Sequence, residues 1–222
     1  MALEWGSCIN KAAVIRKIFL LLLFFRIVFA GADLYLFACE LPGHFDFEVF
    51  NDKEILYFGC YDAVNKGPHI IMYILTADRL EEPSVRRPSV PFTQDRDGGV
   101  LWTLLMENGY ELPNHSDYSN SGYDRGHMAP NADFNNTLEN ALLTFFIANI
   151  WPQTPEVNRG TWLKAENETR ELARLYLFIK VVIIVDEFSN KKVNDISVPL
   201  VFKRRAYGLY DELIYSIDVY QE

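Results

Sequence analysis

Ser121-Gly122-Tyr123-Asp124-Arg125-Gly126-His127-Met128-Ala129-Pro130 sets one imidazole among turn residues, with a carboxylate and a guanidinium shortly before it. No second histidine lies within a helical turn of His127, which argues against two imidazoles on one helix face holding zinc. An unperturbed imidazole titrates near pH ~6.5, so His127 suits proton abstraction at neutral pH if its ring is held in place. Taken alone, the decapeptide leaves a structural and a catalytic reading of His127 both open.

Downstream, Thr137 to Ile147 carries Leu138, Leu142, Phe145 and Phe146 at helical spacing, with Asn136 as the expected cap. Thr154-Pro155-Glu156 then reads as a helix start, with Thr as N-cap, Pro in the first turn and Glu facing the dipole. That helix is expected to run to about Tyr176. At about 100° per residue, Asn158, Trp162, Glu166 and Arg170 share one flank, so an amide, a carboxylate and a guanidinium face the same volume. A surface i,i+4 ion pair between Glu166 and Arg170 is the plainer account of the same spacing. Leu177 to Val185 reads as a buried strand, Val198 to Lys203 as its partner across the polar segment Ser189 to Asp195, and Leu213 to Val219 as a last strand.

Upstream, Ile55 to Asp62 and His69 to Thr76 form an expected hairpin around Ala63-Val64-Asn65-Lys66-Gly67-Pro68. The proline-bearing stretch Ala77 to Gly99 is expected to be extended surface chain, and Leu101 to Glu107 a short amphipathic segment. Asn108 to Gly122 reads as the loop that delivers Asp124. Strands followed by helices and further strands make an α+β chain.

The chain has 222 residues, half of them apolar, enough for one substantial core, and no internal repeat suggests a second domain. Lys11, Arg16 and Lys17 precede the apolar run Ile18 to Phe25, and Ile27 to Ala30 leads to Ala30-Gly31-Ala32. Residues 1–32 are thus expected to be a signal peptide cleaved near Ala32, with a signal-anchor as the alternative and a membrane partner only in that case. A secreted or secretory-pathway protein follows, with residues 33–222 as the single folded domain. A mitochondrial presequence is the weaker third reading, because the run is solidly apolar rather than amphipathic.

Removal of residues 1–32 takes away four of the 21 Lys and Arg and one of the 30 Asp and Glu, leaving 17 against 29 and a net charge of −12. Phosphate binding draws on a basic footprint, so cations must be concentrated at one cleft or supplemented by a divalent ion. Arg86, Arg87, Arg125, Arg159 and Arg170 are the candidates. Cys39 and Cys60 are an even pair after cleavage and are expected to form a disulfide worth about 3 kcal/mol.

Several segments together resemble the DNA/RNA non-specific endonucleases, most closely their endonuclease G branch. They are Asp117-Tyr118, Ser121 through His127, Asn149-Ile150-Trp151-Pro152-Gln153, Val157-Asn158-Arg159-Gly160-Thr161-Trp162 and Glu166. Cys60-Tyr61-Asp62, Ala77-Asp78-Arg79-Leu80 and Arg87 through Phe92 are similar to that branch too, so the likeness covers roughly Leu56 to Arg174. The resemblance implies a ββα-metal (His-Me finger) fold, a central antiparallel sheet flanked by helices. It implies that His127 activates water, that Asn158 ligates a Mg²⁺-type ion (Mn²⁺ or another divalent cation also suits) and that Glu166 holds a metal-bound water. Asn149 would orient the site or contact phosphate, Arg87 and Arg170 would stabilise the pentacoordinate phosphorus, and Asp124 and Arg125 would brace the loop. DNA and RNA are the implied substrates, cut with little sequence preference, and homodimers occur among relatives. Ala148 stands where the family has Ser, and Trp151 is bulkier than usual. With the acidic charge, these departures motivate the alternative of a catalytically weakened nucleic-acid-binding or interaction protein that keeps the fold.

Overall fold

The structure is a computed structural model that describes residues 39–81, 84–93 and 100–221. The expected leader and Cys8 lie outside the described residues. Six antiparallel strands form the main sheet: β1 (His44–Phe50), β2 (Ile55–Asp62), β3 (Gly67–Thr76), β6 (Phe178–Ile184), β9 (Val201–Tyr207) and β10 (Leu213–Tyr220), in spatial order β1-β2-β3-β6-β9-β10. The two central strands, β3 and β6, are apolar almost throughout: one face joins the main core beneath the long helix, and Ile70, Met72 and Val182 of the other form a smaller cluster with Cys60. Among the described residues no helix is long and apolar enough to cross a membrane.

β2 and β3 form the expected hairpin, closed with Lys66 at φ 67°. Gly67 follows because any Cβ there would lie 2.5 Å from the Trp151 ring. Trp151 also donates its Nε1–H to the Pro68 carbonyl at 2.8 Å. The bulky residue that departs from the family pattern therefore fills the core under the hairpin turn. β1 had not been anticipated, although Phe45, Phe47 and Val49 alternate with polar residues. Cys39, just before it, is disulfide-bonded to Cys60 of β2 with the Cα atoms 5.5 Å apart.

Two expectations for the second half change. Val198 to Lys203 is not one strand. β7 (Phe188–Val193) and β8 (Ile196–Pro199) form their own hairpin from the polar segment, and β9 begins at Val201 to pair with β6. Pro199 has no amide proton to extend a ladder, and the Leu200 amide donates to the Glu187 carbonyl instead. The expected helix over Thr137 to Ile147 shrinks to Leu138–Leu143, capped by Thr137 rather than Asn136: its Oγ1 accepts the Asn140 amide at 3.1 Å. The helix stops where the segment after it is recruited by extended chain, Thr93 N–H donating to the Phe145 carbonyl and Ile147 N–H to the Thr93 carbonyl.

Three more α-helices lie among the described residues: α1 (Ala77–Glu81), α2 (Val100–Glu107) and, after the short α3 just described (Leu138–Leu143), the long α4 (Trp162–Tyr176). α4 lies against β6 and β3 and contacts α1. Its buried residues, Trp162, Ala165, Glu166, Thr169, Arg170 and Ala173, follow the helical period and form one stripe.

Candidate active site

The decapeptide is less of a loop than its turn residues suggest. Asp124–His127 is a strand, β4, paired antiparallel with β5 (Ile150–Gln153), so that His127 faces Ile150 across the ladder. Gly126 permits this pairing because a Cβ there would fall 2.1 Å from the Gln153 side chain. The ribbon is pinned beyond His127 by Asn149. Its Oδ1 accepts the Ala129 amide at 2.8 Å, and its Nδ2 donates to the Ala129 carbonyl at 2.8 Å and the Thr144 carbonyl at 3.0 Å. Both amide protons are committed to backbone and the residue is fully buried, a geometry that orients the site and leaves no donor for phosphate.

His127 is 7% exposed, its ring 5.1 Å from that of Phe92 and 5.4 Å from that of Phe145. Its Nε2 is buried and has no hydrogen-bond partner among the described residues. Burial, and next the Arg87 guanidinium, push the imidazole down to about 3, so it is neutral at physiological pH with a lone pair available. Trp162 Nε1–H donates to the His127 carbonyl at 3.2 Å, joining the base to the start of α4.

Immediately before α4 the chain makes a π turn over Val157–Thr161. The uniform 100° step assumed from the sequence therefore fails between Asn158 and Trp162, although Trp162, Glu166 and Arg170 do share a flank. Asn158 is placed by Asp124 instead, donating its Nδ2–H to Asp124 Oδ2 at 2.9 Å. Arg159 closes a fork on the same carboxylate at 2.8 and 2.6 Å. Burial would raise the Asp124 pKa, but the hydrogen bonds from Arg159 and Asn158 outweigh it and hold the carboxyl below its ordinary value. Arg125 donates to the His115 carbonyl at 2.8 Å and lies over the Tyr118 ring, bracing the preceding loop.

Glu166 and Arg170 enter a buried network that the sequence did not disclose. Arg170 Nη1 donates to Asp133 Oδ1 at 2.6 Å and Nη2 to Asn167 Oδ1 at 2.8 Å, and its guanidinium lies 3.9 Å from Glu166 Oε2. Tyr73 donates its hydroxyl to Asp133 Oδ2 at 2.7 Å, and Arg204, fully buried, donates to the Tyr73 and Thr169 hydroxyl oxygens at 2.8 Å. Glu166 is 8% exposed, and its carboxylate accepts no hydrogen bond among the described residues. Its carboxyl is raised to about 7, by burial first and against the opposing pull of Arg204. Arg170 is thus a partner of Asp133 and Glu166 before it can be a partner of phosphate. No local pattern marks Asp133 or Arg204, since the pairing spans residues far apart in sequence.

The five candidate cations separate in this arrangement. Arg125, Arg159 and Arg170 are consumed by carbonyl or carboxylate partners. Arg87 lies 5.4 Å over the Phe145 ring, and its charge is felt by both His127 and Glu166, so it and not Arg86 is the arginine beside the site.

The donor set fits a hard divalent cation. With Asn158 Nδ2 turned to Asp124, the Oδ1 accepts no hydrogen bond among the described residues, and the Glu166 carboxylate has only the Arg170 guanidinium, at 3.9 Å, beside it. An amide oxygen and a carboxylate are what Mg²⁺ takes while keeping much of its water.

Comparison with known proteins agrees with this geometry. The family described as DNA/RNA non-specific endonuclease matches residues 50–208. A nuclease from Nostoc sp. is 54% identical over 55 residues, covering 25% of this chain and 20% of the relative. Human mitochondrial endonuclease G is 30% identical over 120 residues, covering 54% of this chain and 37% of the relative. The chain therefore spans well under two thirds of the length of these relatives. The crystal structure of the EndoG/EndoGI complex superposes with a TM-score of 0.61 at 24% identity, covering 78% of this chain and 74% of that one, a likeness of fold. The α+β architecture, the His127 ribbon and the extent of the family match lead to one conclusion: this chain belongs to the DNA/RNA non-specific endonuclease family.

Proposed function

We propose that the protein is a metal-dependent endonuclease that hydrolyses phosphodiester bonds of DNA and RNA. The observation that carries this reading is the buried, unpartnered, neutral Nε2 of His127, tied through Trp162 to the helix bearing Asn158 and Glu166. A lone pair without a donor is unfavourable in a protein interior, and such groups concentrate where chemistry uses them.

The neutral His127 imidazole takes a proton from the attacking water, its ring flanked by those of Phe92 and Phe145. Asn158 and Glu166 hold the divalent cation, which when bound supplies positive charge to the phosphoryl and leaving oxygens. Arg87 adds a guanidinium to the phosphoryl group, while Arg170 and Asp133 position Glu166 from behind. None of these groups reads a base edge, so a site of this kind grips backbone and is indifferent to sequence. We further propose passage through the secretory route, with which the Cys39–Cys60 disulfide agrees because such bonds persist in oxidising compartments. A mature N-terminus near Asp33 would support it and exclude the signal-anchor, and recovery of the protein in the cytosol with its leader intact would refute it.

The test is cleavage of supercoiled plasmid and of RNA by purified protein, with Mg²⁺ and with chelator. Turnover is expected only with the ion, and undiminished cleavage by His127→Ala would sink the mechanism. Binding of nucleic acid with no turnover under any divalent ion would favour the non-catalytic reading.

A further inference from the structure

We propose that His44, Asp62 and His69 form a second metal site, for a divalent transition ion of the Zn²⁺ class, at the corner where β1 begins and β2 turns into β3. It shares no residue with the Asn158 and Glu166 pair and does not rest on the nuclease reading.

His44 pairs directly opposite Asp62 in the β1–β2 ladder. In the β2–β3 ladder Tyr61 faces Pro68 and Cys60 faces Ile70, so His69 is the extra residue of a β-bulge, the device by which a sheet re-aims a side chain. The bulge brings His69 Nδ1 to 3.1 Å from His44 Nε2, which is also 3.7 Å from Asp62 Oδ2. Ligands at about 2.05 Å from a tetrahedral zinc lie about 3.3 Å apart, so both separations are within a few tenths of an ångström of that edge. All three ligand atoms fall within 4.8 Å of one another. The two rings meet edge to face at 69°, their centroids 5.0 Å apart, rather than stacking.

The supports around the three side chains are those of a ligand set. His44 Nδ1 lies 3.2 Å from the Pro42 carbonyl, which can only accept; the proton is therefore on Nδ1 and the lone pair on Nε2. Asp62 is fixed by the amides of Val64 and Asn65 on Oδ1 and by Asn65 Nδ2 on Oδ2. In that tautomer the Nε2 lone pair accepts the His69 Nδ1–H at 3.1 Å, and a cation in place of that proton would bridge the two ring nitrogens beside the Asp62 carboxylate oxygen. Binding requires only that the His69 proton move from Nδ1 to Nε2. Imidazole and carboxylate together suit zinc better than Mg²⁺.

The test is Zn²⁺ titration calorimetry on the full chain carrying Asn158→Ala and Glu166→Gln, which remove both candidate ligands of the other site, together with Co²⁺ absorption as a direct report of imidazole coordination. One equivalent is expected to bind, with tetrahedral Co²⁺ bands and a higher melting temperature. Affinity should fall by at least about tenfold in His44→Gln and in His69→Gln, since even supporting groups around a metal contribute that much. Asp62 also holds the adjacent turn, so the imidazole variants carry the comparison. Absence of binding and of Co²⁺ bands in the parent would overturn the site, as would equal affinity in both His variants.

Discussion

Replacing Glu166 by Gln should abolish the proposed cleavage and make the metal-free protein more stable. The carboxyl is raised to about 7 from 4.5 in a nearly closed environment, so its ionised form is disfavoured in the folded state relative to the unfolded one. The sign follows from linkage: below the unfolded value the group is neutral in both states and costs nothing. As pH rises from about 4.5 to about 7 the unfolded chain ionises first and folding stability declines. At about 1.4 kcal/mol per pKa unit, the loss above pH ~7 is about 3 kcal/mol. Gln keeps the shape and never ionises, so Glu166→Gln should gain about 3 kcal/mol at pH ~8 and almost nothing at pH ~4. For a domain of this size that is a rise in melting temperature of roughly 6–12 °C. The assay is thermal and denaturant unfolding of both proteins across that pH range in chelator, with Mg²⁺-dependent cleavage measured in parallel. A variant no more stable than the parent at pH ~8 would refute the reasoning, because the buried charge would then be already compensated.

The imidazole has the opposite linkage. His127 is depressed to about 3, so its contribution is complete above the ordinary histidine range and is lost as pH falls toward the folded value. His127→Gln should therefore flatten the decline in stability between pH ~6 and ~4 while lowering cleavage by about 100-fold or more, read from unfolding curves and initial rates. Arg87→Ala should reduce cleavage by about tenfold or more, whereas its neighbour Arg86→Ala should change it little, because only Arg87 lies over Phe145 beside the base. Gly67→Ala should destabilise the fold by about 1–3 kcal/mol, since the new methyl meets the Trp151 ring at 2.5 Å and the indole is held by its bond to Pro68. Urea titration measures it.

What could be read in advance follows from how local each signal was. The β2–β3 hairpin and β10 announce themselves through β-branched and aromatic runs between turn residues, and Cys39 and Cys60 stood out as the even pair. The start of the long helix was legible in Thr154-Pro155-Glu156, but the angular position of Asn158 was not. A helical wheel assumes α geometry, and the π turn over Val157–Thr161 breaks that assumption at the one residue whose direction matters. Arg170 looked like half of a surface pair because only Glu166 lies one turn away. Its stronger partner, Asp133, comes from a different segment, and Arg204 is camouflaged among Lys203 and Arg205. The His44, Asp62 and His69 cluster was hidden for the same reason: a bulge of one residue, invisible in the spacing, aims His69 at His44.

The π turn invites a view from the side of insertion and deletion. A turn with i to i+5 closure holds one residue more than the α-helix it interrupts, and such bulges gather at functional sites. Gly160 sits inside it with open space around it, so the extra residue is tolerated without crowding. Descendants that lost a residue there would inherit a straighter helix, with Asn158 carried round the axis away from Asp124. Length polymorphism at Val157–Thr161 is thus a marker of retained or abandoned chemistry, legible in related chains even where Asn158 and Glu166 are both still present.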